Sequence, residues 1–220
     1  MPEYAAMTAY MDVGIGRILD KLEGLDMLDN TWLIFLSDNG GRNDIPKAPP
    51  AEEHLNAPLR DGKHSFYEGG VRVPFFVVGP GVEPGSVSDV PISGVDVLPT
   101  LADLAGYSKP LPENIDGGSF RSVSLSKGQG TIERNNPFLV FHQGVDREVL
   151  SAIRMDNYKL VKTWRDDRVE LFDLSRDIGE ANDLSETMTS KTEELHGLLM
   201  DYLTEVNADT GARRKKQKKR

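Results

Sequence analysis

Two short segments of the sequence carry side chains that could do chemistry, and the first is FLSDNGG at residues 35–41. An apolar run ends there on an acid and an amide, Asp38 and Asn39, followed by two glycines. A carboxylate and an amide oxygen at the end of a strand, where glycines let the backbone turn, suit a hard cation such as Ca²⁺ or Mg²⁺. Asn-Gly is also a strong hairpin signal, although the following RNDIPKAPPAEE offers no return strand. This segment alone leaves both a metal site and a tight turn open.

The second segment is LRDGKHSFYEGGVRVPF at residues 59–75, which places Lys63 and His64 in a glycine-flanked loop before an apolar run. A lysine ammonium is a compact point charge that can neutralise an anionic substrate oxygen. A solvated surface lysine and an ordinary polar loop histidine are the alternative interpretations, and the segment alone does not decide between them.

An α/β part of the chain must position these side chains. Helical spacing of apolar residues predicts an amphipathic helix over 4–23, whose glycines suggest close packing against a sheet. The apolar runs TWLIFLS at 31–37 and VRVPFFVVG at 71–79 are typical of strands buried on both faces in a parallel sheet, with Pro74 restricting the second to an edge or a bulge. The polar, proline-rich residues 42–62 between them predict a surface loop.

The pattern changes along the second half of the chain. Residues 94–105 predict a short helix, and the Gly-, Ser- and Pro-rich stretch 110–136 predicts a surface linker. The segments PFLVFHQG, REVLSAIRM, NYKLVKTWR and RVELFDLS, separated by turn residues, predict a small antiparallel sheet. A final amphipathic helix presents one apolar face made of Leu195, Leu198, Leu199, Tyr202 and Leu203.

Composition narrows the possible classes of protein. With 38% hydrophobic and 28% charged residues among 220, the chain is an ordinary globular protein with no apolar run of the ~20 residues that span a bilayer and no signal-peptide pattern. The last eight residues, RRKKQKKR, hold seven positive charges against a net charge of −9, so the rest carries −16. That acidic body argues against nucleic-acid binding. The absence of cysteine excludes disulfides, zinc–thiolate sites and cysteine nucleophiles.

Four stretches resemble, in order, the type I sulfatase family of the alkaline-phosphatase-like superfamily: AYMDVGIGRILDKLEGLDMLDNTWLIFLSDNGG, LRDGKHSFYEGGVRVPFFVVGPG, VDVLPTLADLAG and NYKLVKTWRDDRVELFDLSRDIGEANDLS. The resemblance covers nearly all of residues 4–205 and the C-terminal half of the family. It implies an α/β fold, a partial alkaline-phosphatase-like sheet flanked by helices, plus a small C-terminal antiparallel sheet with a packed helix. We expect a catalytic-domain part at 1–122, an α+β subdomain at 123–208 and a basic disordered tail at 209–220.

The resemblance also implies roles for individual residues. Asp38 and Asn39 match ligands of the family's Ca²⁺ ion, and Lys63 matches the catalytic lysine that contacts the sulfate group. His64 has the right location to touch substrate, and Glu68 and Arg72 are interpreted as packing or network residues. The segment 150–185 resembles the subdomain that forms one wall of the substrate pocket.

The chain departs from the family pattern in what it lacks. The family nucleophile is formylglycine, made from the first residue of a C/S-x-P/A-x-R motif. No serine here fits that motif, and Ser108 comes nearest without the arginine. The early paired aspartates and the upstream histidine of the family site also have no counterpart, so we interpret the chain as a fragment or truncated gene product and predict that it is inactive alone.

The function implied is that of a sulfuric ester hydrolase that is calcium-dependent in its full-length form. Its substrate would be a sulfated small molecule or glycan, and the family implies a periplasmic or secreted location. A phosphodiesterase or phosphonate monoester hydrolase of the same superfamily is one alternative, and a non-catalytic metal- or anion-binding remnant is another. A simple interaction module with a basic tail is a third.

Overall fold

A computed structural model describes residues 2–42, 55–144 and 149–211 of the chain. Most of the predicted loop at 42–62 and residues 212–220 of the basic tail lie outside the described residues. The described residues divide into two compact units. The first unit contains residues 2–38 and 74–135, and the second contains residues 39–42, 55–73, 136–144 and 149–211.

The first unit begins with the helix α1 (Pro2–Glu23), which confirms the predicted helix. The expected packing of its apolar face against a sheet is wrong for this chain, because none of the α1 residues is buried. A Cβ atom added at Gly14 or Gly16 would meet no other atom within 4 Å, so neither glycine serves a close contact in the described structure. Apolar side chains stay largely in water on this helix, with Met7 72% and Tyr10 73% exposed.

A single-turn 3₁₀ helix (Leu28–Asn30) leads from α1 into the strand β1 (Leu33–Leu36), which pairs with β2 (Phe75–Val78). The pairing is antiparallel, with Leu33 opposite Val78, so the expectation of a parallel pair is wrong. The expectation of strands buried on both faces is also wrong, since Phe76 and Val78 are about 60% exposed. Pro74 lies just before β2, where its missing N–H costs no ladder hydrogen bond.

The rest of the first unit is built around a second short 3₁₀ turn (Gly94–Asp96) and the helices α3 (Val97–Leu104) and α4 (Arg121–Leu125). The helix predicted at 94–105 is confirmed. The surface linker predicted at 110–136 is wrong in part, because that stretch contains α4 and the buried side chains of Phe120 and Val123.

A buried ion pair fixes this stretch to the start of α3. Asp96 is fully buried, and its carboxylate accepts hydrogen bonds from the Arg134 guanidinium at 2.6 and 2.8 Å and from the backbone N–H groups of Ser93 and Gly118. Its backbone carbonyl accepts a hydrogen bond from the Thr100 hydroxyl. That hydroxyl in turn accepts a hydrogen bond from the backbone N–H of Phe120. These bonds explain why a segment with linker-like composition is ordered.

The second unit is formed by the four-stranded antiparallel sheet and helix that the sequence predicts. The strands are consecutive neighbours in the order β3 (Leu139–Gln143), β4 (Leu150–Met155), β5 (Tyr158–Thr163) and β6 (Arg168–Asp173). Alternating apolar residues and short polar turns produce this meander.

Each face of the sheet is covered by a different element. The helix α5 (Thr189–Glu205) packs Leu195, Leu199 and Leu203 on one face, which confirms its predicted apolar face. The other face, which includes Val161 and Phe172, contacts Phe66 and Tyr67. The segment that carries Lys63 is therefore anchored on the sheet just beyond Lys63 itself. The short helix α2 (Glu68–Val71) follows directly.

Candidate functional site

The two segments that the sequence singles out are joined through their backbones in the second unit. The carbonyl oxygen of Gly41 accepts a hydrogen bond from the backbone N–H of Lys63 at 3.0 Å and another from the Asn56 amide at 2.9 Å. The backbone N–H of Gly40 donates to the carbonyl of Gly70 at 2.9 Å. The turn at 39–42 and the Lys63 loop, defined as residues 59–67, therefore hold each other in place.

Glycine is required where these segments meet. A Cβ atom on Gly40 would lie 1.8 Å from the carbonyl oxygen of Gly69, and one on Gly69 would lie 2.2 Å from the carbonyl oxygen of Asp61. Both distances are far below van der Waals contact and the obstacle is backbone, so any side chain would force the segments apart. The glycines of this region serve close backbone approach.

The predicted site residues differ in exposure. Asp38, Lys63 and His64 are exposed, whereas Asn39 is half-buried and donates from its side-chain amide to the carbonyl of Gly40 at 2.9 Å. His64 has a φ of +78°, a left-handed conformation that is uncommon for a side chain other than glycine. Asp61, on the other side of Lys63, has a φ of +61°, so left-handed residues flank Lys63 on both sides.

The donors for a metal ion are oxygen atoms. The Asp38 carboxylate and the Asn39 amide oxygen match the preference of Ca²⁺ and Mg²⁺, but Ca²⁺ takes roughly six to eight oxygen ligands. Across residues 2–42, 55–144 and 149–211, no three His, Asp or Glu side chains gather into a group that could hold a metal ion. The two residues offer oxygen atoms of the kind that calcium prefers, and within the described residues they do not form a complete metal site.

A cluster of buried ions lies directly behind the Lys63 loop. Glu68, at the start of α2, is 2% exposed and binds the Arg72 guanidinium at 2.6 Å and the Lys159 ammonium at 2.9 Å. Lys159 is fully buried and lies 2.8 Å from a carboxylate oxygen of Glu180. The other oxygen of Glu180 accepts the backbone N–H of Glu68 at 2.5 Å. We call Glu68, Lys159 and Glu180 the ion triad.

The two carboxyl groups of the ion triad respond differently to this environment. Burial disfavours the charged form of both. At Glu68 the positive charges of Lys159 and Arg72 outweigh burial and hold its pKa below the usual value. At Glu180 burial dominates and raises the pKa, and the nearby charge of Glu68 adds to that effect. Glu68 is thus the firmly ionised partner of Lys159.

A second cluster fixes the beginning of the Lys63 loop. The Arg60 guanidinium lies 3.7 Å from the centre of the Tyr67 ring, donates to the carbonyl of Glu180 at 3.0 Å, and pairs with Glu170 at 3.4 Å. The Tyr67 hydroxyl donates to the same Glu170 carboxylate. Burial and this hydrogen bond raise the pKa of Tyr67, which keeps the phenol protonated as a donor.

Sequence reasoning missed Lys159, Glu180 and Arg60 as neighbours of the site. A signal for Lys159 was present, because in the strand NYKLVKT it shares one face with Val161, and that face is apolar. A lysine on an apolar sheet face needs a carboxylate partner. Nothing in the local sequence says that the partner is Glu68, 91 residues earlier.

Comparison with known proteins gives the family. A model described as "N-sulphoglucosamine sulphohydrolase, C-terminal" matches residues 61–209, and a model described as "Sulfatase" matches residues 1–107. The chain belongs to the sulfatase family and corresponds to its C-terminal portion. The alkaline-phosphatase-like fold predicted from the sequence is that of its solved neighbours.

Individual relatives are similar over almost the whole of this chain. A sulfatase of Formosa agariphila is 35% identical over 95% of this chain and 41% of its own length. A choline-sulfatase of Rhizobium meliloti is 35% identical over 83% of this chain and 32% of its own length. The structure of BT4656 in complex with its substrate D-glucosamine-2-N,6-O-disulfate is 25% identical, with a TM-score of 0.66, over 88% of this chain and 38% of that protein. The chain thus spans less than half the length of these relatives.

A helix that crosses a membrane needs about 20 consecutive, largely apolar residues. None of the helices within the described part of the chain is long and apolar enough to cross a membrane.

Proposed function

We propose that this chain contributes the sulfate-contacting lysine and two calcium ligands to an enzyme that hydrolyses sulfate esters. The observation that carries the proposal is the hydrogen bond from the Lys63 backbone to Gly41, which ties the lysine loop to the turn bearing Asn39. In this role the exposed Lys63 ammonium offsets negative charge on the transferred sulfate group. His64, held in a left-handed conformation beside it, would contact the substrate.

Asp38 and Asn39 would supply one carboxylate and one amide oxygen to Ca²⁺, with the other ligands and the formylglycine nucleophile contributed by residues outside this chain. When bound, the ion would polarise the sulfate oxygens. The membership of the chain in a sulfatase family supports a metal cofactor, and the hard oxygen donors support calcium among the metals.

The domain assignment follows the same interpretation. Residues 1–122 would belong to the catalytic α/β domain of the complete enzyme and residues 123–208 to its C-terminal α+β subdomain. The compact meander of β3–β6 with α5 supports the second assignment. Residues 55–73 would belong to the first part by sequence, and they pack on the sheet of the second.

The substrate would be a sulfated small molecule or glycan. The relatives support this breadth, since one is a choline-sulfatase and another binds a disulfated glucosamine. The phosphodiesterase or phosphonate hydrolase alternative is not favoured, because the family models and these relatives are sulfatases.

A titration of the 220-residue chain with inorganic sulfate, followed by backbone NMR, tests the role of Lys63. The amide signals of Lys63 and Gly41 should shift in a saturable manner, and Lys63→Ala should abolish that response. Lys109→Ala is the matched control, because Lys109 is also an exposed loop lysine and lies in the other unit. An undiminished response in Lys63→Ala would refute the assignment.

The calcium assignment has its own test in a full-length sulfatase that contains this chain. Asp38→Ala should abolish calcium-dependent hydrolysis of an aryl sulfate and weaken calcium binding measured by calorimetry. Unchanged affinity for calcium in that variant would show that the ligands are misassigned.

A further inference from the structure

We infer that Lys159, a residue of the C-terminal sheet, is a positioning residue for the Lys63 loop and acts through Glu68. The inference rests on the proposed function of that loop as the segment that contacts sulfate. In this inference the ion triad orients the Lys63 loop in addition to stabilising the fold.

Lys159 occupies a rigid place in the molecule. It lies on β5, which has hydrogen-bonded neighbours on both sides, and its backbone pairs with Arg154 and Phe172. Its side chain is fully buried and ends between the two carboxylates of Glu68 and Glu180. A lysine side chain has many rotamers in water, so these contacts restrict it strongly.

Glu68 is held at two points by this arrangement. Its carboxylate binds the Lys159 ammonium, and its backbone N–H donates to Glu180, which is itself paired with Lys159. Lys159 therefore holds the side chain of Glu68 directly and its backbone through Glu180. This fixes the orientation of the first turn of α2.

The glycines that follow Glu68 make close backbone contacts with the Lys63 loop. The N–H of Gly69 donates to the carbonyl of Arg60 at 2.8 Å. A Cβ atom on Gly70 would lie 2.1 Å from the carbonyl of Ser65 and 2.6 Å from that of Gly62. Because Lys63 lies between these carbonyls in sequence, a shift of α2 must move Lys63.

The chemistry of the ion triad favours positioning over stabilisation. A buried ion pair seldom adds stability compared with apolar residues of the same size, because desolvation offsets the attraction. Its hydrogen bonds are nevertheless directional, and removing them loosens the geometry that they define. An apolar side chain at position 159 would fill the space and leave Glu68 bound to Arg72, four residues along the same segment, without its ion pair to the sheet.

The test is hydrogen exchange on the double variant Lys159→Met/Glu180→Gln of the 220-residue chain. This variant removes one positive and one negative charge, so Glu68 keeps Arg72 as its partner and no unpaired charge is buried. Lys191→Met is the control, since Lys191 forms a partly exposed ion pair with Glu194 on α5 in the same unit. The amides of Lys63 and Gly69 are compared with those that pair β3 with β4.

In the double variant the amides of Lys63 and Gly69 should exchange about tenfold or more faster, while those pairing β3 with β4 change by less than about threefold. The Lys191→Met control should leave both groups unchanged. Wild-type protection at Lys63 and Gly69 would overturn the inference. Equal loss of protection in β3 and β4, or an unfolded variant, would also overturn it, because Lys159 would then only hold the fold.

Sulfate binding separates this inference from the function on which it rests. If the loop contacts sulfate, the dissociation constant for inorganic sulfate, read from the Lys63 amide signal, should rise at least about threefold in the double variant. If sulfate leaves the Lys63 signal of the wild-type chain unmoved, the proposed function fails. The exchange rates still decide whether Lys159 positions the loop.

Discussion

Replacing Asp96 with alanine removes one acceptor that serves four donors in the first unit. The carboxylate accepts two hydrogen bonds from Arg134 and one each from the backbone N–H groups of Ser93 and Gly118. Asp96 is fully buried, and the Arg134 side chain is 13% exposed. The substitution leaves a largely buried guanidinium and two backbone donors without their partner.

The expected cost is large for a single substitution. Removing one partner of a buried ion pair destabilises a protein by about 3–5 kcal/mol, because the remaining charge stays uncompensated. Arg134→Met should cost less, since the two backbone donors still satisfy the carboxylate in part. The double variant should be more stable than the sum of the two losses predicts, by roughly 1–3 kcal/mol.

The assay is urea unfolding followed by the fluorescence of Trp32 in a Trp164→Phe background. The chain has two tryptophans, one in each unit, so this background makes the signal specific for the first unit. Trp32 is a suitable probe because its ring packs over Gly79, where an added Cβ atom would lie 2.5 Å from the ring.

The pair Arg121–Asp103 provides the control, because both side chains are more than 40% exposed and their atoms are 3.7 Å apart. Arg121→Met should cost at most about 1 kcal/mol. An Asp96→Ala variant that loses no more than this control would refute the reasoning. Additive losses in the Asp96 and Arg134 variants would refute it as well.

Two further predictions concern pH and activity. Burial lowers the pKa of His196, so the folded chain favours the neutral ring. The unfolded chain therefore binds a proton at a higher pH than the folded chain, and the free energy of unfolding should fall as the pH drops below about 6.5. His196→Gln should remove that part of the slope in urea midpoints measured at a series of pH values, and identical slopes would contradict the assignment. The purified 220-residue chain should hydrolyse no aryl sulfate in a chromogenic assay, because it lacks the nucleophile motif; measurable turnover would mean that this interpretation of the sequence is wrong.

The C-terminal sheet and helix could be predicted because their information is local. Alternation of apolar residues sets the strands of NYKLVKT and RVELFDL, polar turns separate them, and the leucines of α5 repeat at helical spacing. The comparisons confirm the family from the same motifs that the sequence displays.

The pairing of β1 with β2 could not be predicted in the same way. An apolar run of four residues is compatible with a parallel or an antiparallel partner, and the partner begins about 40 residues later in the chain. The order in residues 110–136 could not be predicted for a related reason. Its composition is that of a linker, and the order depends on the long-range pair of Asp96 with Arg134.

Within the candidate site, sequence motifs located Asp38, Asn39, Lys63 and His64, whose roles stay predictions. What the motifs did not reveal is how the loop is supported. Support comes from Lys159 and Glu180, which are distant in sequence and carry charges that a local pattern assigns to the surface.

The separation of 91 residues between Glu68 and Lys159 has a consequence for how the second unit folds. During synthesis Glu68 leaves the ribosome well before Lys159, whereas each of the strands β3–β6 pairs with its neighbours in sequence. Contacts between near neighbours in sequence form faster than distant ones, so we expect the sheet to form first and Glu68, although made earlier, to dock on it afterwards. A piece cut to begin after residue 73 would contain the whole sheet and α5, yet it would leave Lys159 and the apolar face around Phe172 uncovered. Any dissection of this protein should therefore keep residues 55–73 with the C-terminal sheet.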